Sequence, residues 1–317
     1  MKKLNRVILM AAMTLLLAAP GFAVRNEIFQ GQGQAVVTML PEDGGQTPVS
    51  LPEQDLKVTV DGKTPSNVKL TPLRGPADRA ELVILIDGGA RNTLGTQIDD
   101  FAHFVQSLPP NVKVAVGYMI NGHTALTGPL TTDHAQARKG LHLPGGMPGI
   151  SASPYFCLSD LAKHWPSQDR QARREVVMVT DGIDYYDFRF DPYDPYVESA
   201  TDDAVRAGLV VYSIYWSNQG RARFSLFETN TGQSLVLQVT DATGGNSYWE
   251  GMGNPVSFQP YLQDIARRLE NQYKLTFVAR LDGKPEIENL KLKSHAPATK
   301  IVAPQEVLVS PSGPARD

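Results

Sequence analysis

Apolar residues follow two different patterns along this chain. From Glu81 to Tyr215 they come in dense runs: Leu82–Ile86, unbroken and leading into Asp87, then Val112–Ile120, Glu175–Gly182 (EVVMVTDG) and Leu209–Tyr215 (LVVYSIY). Runs of Val, Ile and Leu without polar interruption read as strands covered on both faces, the mark of a parallel sheet. Segments of helical period alternate with them. Thr96–Leu108 places Ile98, Phe101, Val105 and Leu108 on one face and stops at Pro109-Pro110. Further helices are predicted over Asp133–Leu141, Tyr155–His164, Glu198–Ala207, Ser234–Ala242 (ended by Gly244-Gly245) and Val256–Asn271. Asn121-Gly122 is a hairpin turn into His123–Leu126, which predicts one antiparallel edge strand.

Outside this region the strands alternate apolar and polar residues instead. Ala35–Leu40 is strand-like, and Leu56–Val60 meets the turn Asp61-Gly62 with Val68–Leu70 as its return strand. Tyr273–Leu281, the turn Asp282-Gly283 and Ile287–Lys293 repeat that layout, and a tail from Pro304 holds a short strand at Val307–Val309. These two β elements are expected to pair, since the ends of a domain often lie close together. Arg74-Gly75-Pro76 reads as a linker. The expected layout is a signal peptide over 1–23, an N-terminal β element and linker over 24–78, an αβ domain over 79–272, and C-terminal strands with a tail over 273–317.

Composition narrows the function. Hydrophobic residues at 42% and charged residues at 20% describe an ordinary folded protein, and a net charge of −3 argues against a nucleic-acid binder. Lys2, Lys3 and Arg6 precede the apolar run Val7–Ala19 and a small-residue cleavage pattern ending at Ala23, so the chain reads as exported, with no membrane span after removal of the leader. Cys157 is the single cysteine and rules out an internal disulfide; it reads as a buried thiol.

In an open αβ sheet, ligands bind beyond the carboxyl ends of the strands. Asp87 and Asp181 both end strands there. The stretch Ile183–Tyr196 (IDYYDFRFDPYDPY) begins at the same edge, interleaving Tyr186, Phe188 and Tyr193 with four aspartates. Three readings stand for it: rings packed on the chain's own helices, a partner-contact loop, or a Ca²⁺ loop lacking regular calcium-loop spacing. Enzyme motifs are poor. Gly149–Ser153 only approaches Gly-x-Ser-x-Gly, no strand leads into it, and His123, His134, His142 and His164 are scattered.

Together these residues resemble the von Willebrand factor type A domain. The resemblance rests on the strand ending in Asp87, the following helix, the Asn121-Gly122 hairpin, the Gly-rich loop before the Tyr155 helix, and Val179–Gly182 (VTDG). The flanks Asp55–Lys63 (DLKVTVDGK) and Tyr273–Lys284 (YKLTFVARLDGK) are similar to those of the acidobacterial-type exported subgroup. The resemblance implies a Rossmann-like α/β sheet with helices on both faces, plus a small flanking β element from the N- and C-terminal strands. It also implies a non-catalytic protein-binding or adhesion module, periplasmic or secreted, whose partner is another extracytoplasmic protein.

The family's centre is a metal-ion-dependent adhesion site, where hard oxygens hold Mg²⁺ and leave a position for an acidic group of the partner. Its first loop, Asp-x-Ser-x-Ser, falls on Asp87-Gly88-Gly89-Ala90-Arg91; its threonine position falls in Gly149–Ser153, with Ser151 or Ser153 available; its last aspartate is Asp181. Gly89 has no hydroxyl, and Arg91 brings a guanidinium that could satisfy both carboxylates itself. A degenerate site without a cofactor is therefore expected. The alternatives are a working Mg²⁺ site on Asp87, Ser151, Ser153 and Asp181, and, third, a serine hydrolase using Ser151 or Ser153.

Overall fold

The computed structural model describes residues 29–42, 55–75, 78–145, 153–186, 193–217, 226–251, 253–294 and 299–311, with the side chains of residues 29 and 91–93 excepted. Residues 1–23, expected as a signal peptide, together with Ser151, Phe188 and the Arg91 side chain, lie outside the described residues. Strands β1 (Phe29–Pro41), β2 (Leu56–Val60) and β3 (Ser66–Pro72) come first. The αβ unit follows: β4 (Ala80–Asp87), a 3₁₀ helix (Gly88–Leu94), α1 (Gln97–Ser107), β5 (Val112–Ile120), β6 (His123–Leu126), α2 (His134–Arg138), α3 (Pro154–Lys163), β7 (Arg173–Thr180), α4 (Pro195–Ala207), β8 (Leu209–Tyr215), α5 (Leu226–Thr243), β9 (Asn246–Tyr248) and α6 (Gln259–Glu270). Strands β10 (Gln272–Leu281), β11 (Glu286–Ser294), β12 (Thr299–Val302) and β13 (Glu306–Pro311) close the chain.

The αβ sheet has the order β6-β5-β4-β7-β8-β9, parallel throughout except for β6. The antiparallel edge strand and the helices on both faces are as expected. Every residue of β4 is buried. Leu82, Ile84 and Ile86 face a cluster with Phe101 of α1 and Leu262 of α6, while Val83 and Leu85 face Tyr155, Val197 and Leu235 of α3, α4 and α5. At roughly 1.5–3 kcal/mol for each fully buried aliphatic side chain, this run holds β4 at the centre, and Asp87 at the centre of the carboxyl edge.

The flanking β element is larger than expected and differently wired. Its strands run β2-β11-β13-β1-β10-β3, with β12 also on β1. The turn at Asp61-Gly62 is tight, with φ of 45° and 73° and a Val60–Lys63 bridge. Yet β2 does not return as β3: β2 pairs with β11, and β3 pairs with β10. Nor do β10 and β11 form the predicted hairpin, since β1 and β13 lie between them. Each turn redirects the chain across the sheet because the apolar faces of distant strands share one core, from Val37 and Leu275 to Val58 and Val309. The predicted tail strand β13 is interior to this sheet. Residues Gly31–Gln34 also join β1: Phe277's ring sits 2.4 Å from where a Cβ on Gly33 would lie, so the glycine makes room for it.

Several helix boundaries move, by three residues at the start of α4 and at the end of α2. Val256 lies before α6 and is 87% exposed, and α5 starts eight residues earlier than its apolar pattern shows. Where the two sheets meet, buried Arg173 pairs through both ends of its fork with Asp78 (3.2 and 2.8 Å) and donates to the Leu269 carbonyl (3.0 Å) and the Gln272 side chain. Glu175, two residues along, is fully buried, and its nearest approach to Arg173 is 3.7 Å. Burial pushes its carboxyl up to about 8, against the pull of the Arg173 charge.

Candidate functional site

Asp87 and Asp181 end adjacent parallel strands, β4 and β7, and both side chains are buried. Oδ1 of Asp87 accepts the Gly89 N–H (2.7 Å), which starts the 3₁₀ helix, and Oδ2 accepts the Thr180 hydroxyl (3.2 Å). That hydroxyl in turn accepts the Gly182 N–H (3.1 Å). Asp181 accepts the Ile183 N–H (3.1 Å) on one oxygen and the Tyr185 hydroxyl (2.8 Å) on the other. Each carboxylate thus has a donor on both oxygens.

Ser153 caps α3, accepting the Phe156 N–H (3.2 Å), and donates to Asp184 (2.9 Å). Asp184 also accepts the Tyr186 N–H (2.8 Å). Asp194 caps α4 through Oδ1, while its buried Oδ2 takes no hydrogen bond from a described residue. Tyr155 lies among these groups and donates to the Gly182 carbonyl (2.7 Å). Burial first, then the charges of Asp194, Asp181 and Asp184, hold its phenol well above its usual range. The Cys157 thiol is likewise pushed up, first by burial and then by Asp87 and Asp160, so it stays an inert thiol.

Glycines set how closely the walls approach. A Cβ on Gly232 of α5 would lie 2.0 Å from the Asp181 carbonyl oxygen, and one on Gly182, at φ +70°, would lie 2.4 Å from the Gly232 carbonyl oxygen. The α5 backbone is therefore pressed directly onto the Asp181 loop.

Around this buried centre stands an exposed aromatic rim. Tyr186 is 63% exposed and Tyr193 87% exposed. The Phe156 ring meets Tyr186 edge-on at 5.5 Å and Tyr196 at 4.8 Å, so the loop's rings are part packing and part open surface. Ile120, at the end of β5, is exposed as well.

Of the residues singled out from sequence, Asp87, Gly89, Ser153, Asp181, Tyr186 and Tyr193 all lie at this edge of the sheet. Ser153 bonds to Asp184, and none of its described bonds reaches Asp87, Asp181 or a histidine. Among the described residues, no group of three or more His, Cys, Asp or Glu side chains is arranged to hold a metal ion. Sequence reasoning missed Thr180, Tyr155, Asp184 and Asp194 as parts of the centre. Ser153-Pro154 and Asp194-Pro195 did carry a signal, a capping side chain followed by proline at the first helical position. The Thr180–Asp87 contact had none, because it depends on the register of two strands.

No protein-family model matches the chain, and no curated protein is detectably similar to it. Solved structures are similar at low identity. The conserved hypothetical protein BatB from Bacteroides thetaiotaomicron aligns at 14% identity and a TM-score of 0.42, over 60% of this chain and 97% of its own. The pilus adhesin SpaC from Lactobacillus rhamnosus GG aligns at 9% and 0.46, over 83% and 49%. The ArnB paralog VWA2 from Sulfolobus acidocaldarius aligns at 8% and 0.37, over 82% and 75%. Likenesses this weak carry no argument about function; the α/β reading rests on the chain's own strand order.

Proposed function

We propose that this chain is an exported, non-catalytic protein-binding module of von Willebrand factor A type, which meets an extracytoplasmic partner protein at the carboxyl edge of its αβ sheet without a bridging metal. The observation that carries this reading is the pairing of two features at that edge: exposed Tyr186 and Tyr193 around a centre whose carboxylates are already hydrogen-bonded. Aromatic side chains give large contact area at low entropy cost. The donor set fits Mg²⁺ poorly. Gly89 contributes a backbone N–H where a hydroxyl ligand belongs, and a cation would have to displace the donors now on Asp87 and Asp181. Ser153 is fully buried and donates to the weakly basic Asp184 carboxylate, not to a histidine, so it is a poor nucleophile. Export rests on Lys2, Lys3, Arg6 and the apolar run Val7–Ala19; among the described residues no helix is long and apolar enough to cross a membrane.

Two measurements test this. In calorimetry and thermal melting with Mg²⁺ or Mn²⁺, wild type and Asp181→Ala are expected to respond alike, with no heat of binding. A melting point raised by metal in wild type alone would establish the Mg²⁺-dependent site instead. Alanine at Tyr186, Phe188 and Tyr193 is expected to abolish partner capture while leaving the fold intact; undiminished capture would remove the aromatic loop from the interface.

A further inference from the structure

The opposite end of the αβ sheet holds a second feature, independent of the aspartate centre. A groove of about 990 Å³ runs between the amino ends of β7 and β8 and the outer face of β1, β10 and β3. Its cationic lining is Lys163, Arg170, Arg174 and Arg206, and among the described residues no carboxylate lines it. Lys163 and Arg206 are ion-paired with Asp203 and Asp202, which leaves Arg170 and Arg174 as the positive charge the groove presents. We propose that this groove binds an extended, carboxylate-rich segment of a partner protein.

The carboxylates nearest these cations are already engaged. Asp203 pairs with Lys163 at 2.8 Å, Asp169 with Arg79 at 3.2 Å, and Asp202 with Arg206 at a loose 3.8 Å. Glu81 is buried between Lys113 (3.2 Å) and the Trp165 indole N–H (2.8 Å). Arg170 is exposed and forms no hydrogen bond or ion pair with a described residue. Arg174 lies over the Trp165 ring at 5.5 Å, with one long hydrogen bond to the Ala207 carbonyl (3.4 Å). Since Trp165 is itself clamped by Glu81, the Arg174 guanidinium is held in place before any ligand arrives. Burial lowers the pKa of Arg174; Glu81 opposes that effect and the Arg170 charge adds to it. A carboxylate placed between these two arginines would relieve their repulsion and could be gripped through both prongs of a guanidinium fork.

The floor favours a polypeptide over a small anion. Gln32 and Gln34 project outward from β1, with Val278 and Thr276 opposite them on β10 and Asn67 of β3 also lining the groove. Alternate residues of a strand repeat at about 6.8 Å, the spacing at which an extended peptide presents every second residue to one side. The amides can meet backbone groups along the segment while the arginines take its carboxylates.

The test is fluorescence anisotropy of a labelled octa-glutamate peptide with the full mature chain. Binding is expected to weaken as salt rises, and to weaken at least about tenfold in Arg170→Glu, a loss typical of one charge-assisted contact. Lys300→Glu removes the same charge from exposed β12, outside the groove, and is expected to stay within about twofold of wild type. Because Arg170 is exposed and has no ion-pair partner among the described residues, its substitution should leave the melting temperature unchanged, so loss of binding cannot be confused with loss of fold. The proposal is overturned if the peptide fails to bind, if Arg170→Glu binds as tightly as wild type, if Lys300→Glu weakens binding equally, or if phosphatidylglycerol vesicles bind where the peptide does not. None of these outcomes depends on the aromatic edge.

Discussion

At the carboxyl end of the parallel sheet, Asp87, Asp181, Asp184 and Asp194 are all buried; at the amino end, Arg173 is buried, Arg174 half-buried and Arg170 open to solvent. One fold produces both arrangements. Helices α3 and α4 run back against the strands, so their amino ends lie at the carboxyl edge, where free N–H groups and the positive end of the dipole favour Ser153 and Asp194. Their carboxyl ends lie at the other edge, where the same dipoles favour Lys163 and Arg206. Capping oxygens therefore gather at one end and last-turn cations at the other, although Asp78, Glu81 and Glu175 also lie at the amino end. The two ends differ in what remains available. Asp87 and Asp181 are taken up by backbone N–H groups and the Thr180 and Tyr185 hydroxyls, whereas Arg170 has no hydrogen bond or ion pair among the described residues.

The comparison breaks most severely at Arg173, a buried cation of the basic end with four described hydrogen bonds. Arg173→Ala strips the partner from buried Asp78 and is expected to cost about 3–5 kcal/mol, read as a lower denaturation midpoint. A loss below about 1 kcal/mol would mean that the junction between the two sheets tolerates water. At the acidic end, Gly232→Ala places a methyl group against the Asp181 carbonyl and is expected to cost about 1–3 kcal/mol. An unchanged melting temperature would show that α5 can move away from that loop.

The third effect is read against pH. Folded Glu175 keeps its proton up to about 8, while the unfolded chain releases it near 4.5. Unfolding thus sheds a proton between those values, so this group's contribution to stability falls as pH rises through that window and levels off above it. Glu175→Gln is expected to flatten that slope in denaturant melts taken across the window. Parallel slopes for the two proteins would show that Glu175 is already ionised when folded, with Arg173 as its counter-ion.

The local pattern of the sequence determined the αβ unit. Leu82–Ile86 could only be a doubly covered strand, Asn121-Gly122 only a tight turn, and a strand of that kind places Asp87 and Asp181 at the binding edge. These signals are short-range, carried by residues within a few positions of each other. The flanking sheet was decided by tertiary structure. Asp61-Gly62 predicts a turn correctly but cannot say which strand lies beside β2, because the partner is chosen by apolar faces more than two hundred residues away. The same limit hid the Thr180–Asp87 hydrogen bond and the basic groove, whose cations come from α3, the stretch after it, β7 and α4. These cations are scattered along the chain; only the packing of antiparallel helices on a parallel sheet brings them to one groove.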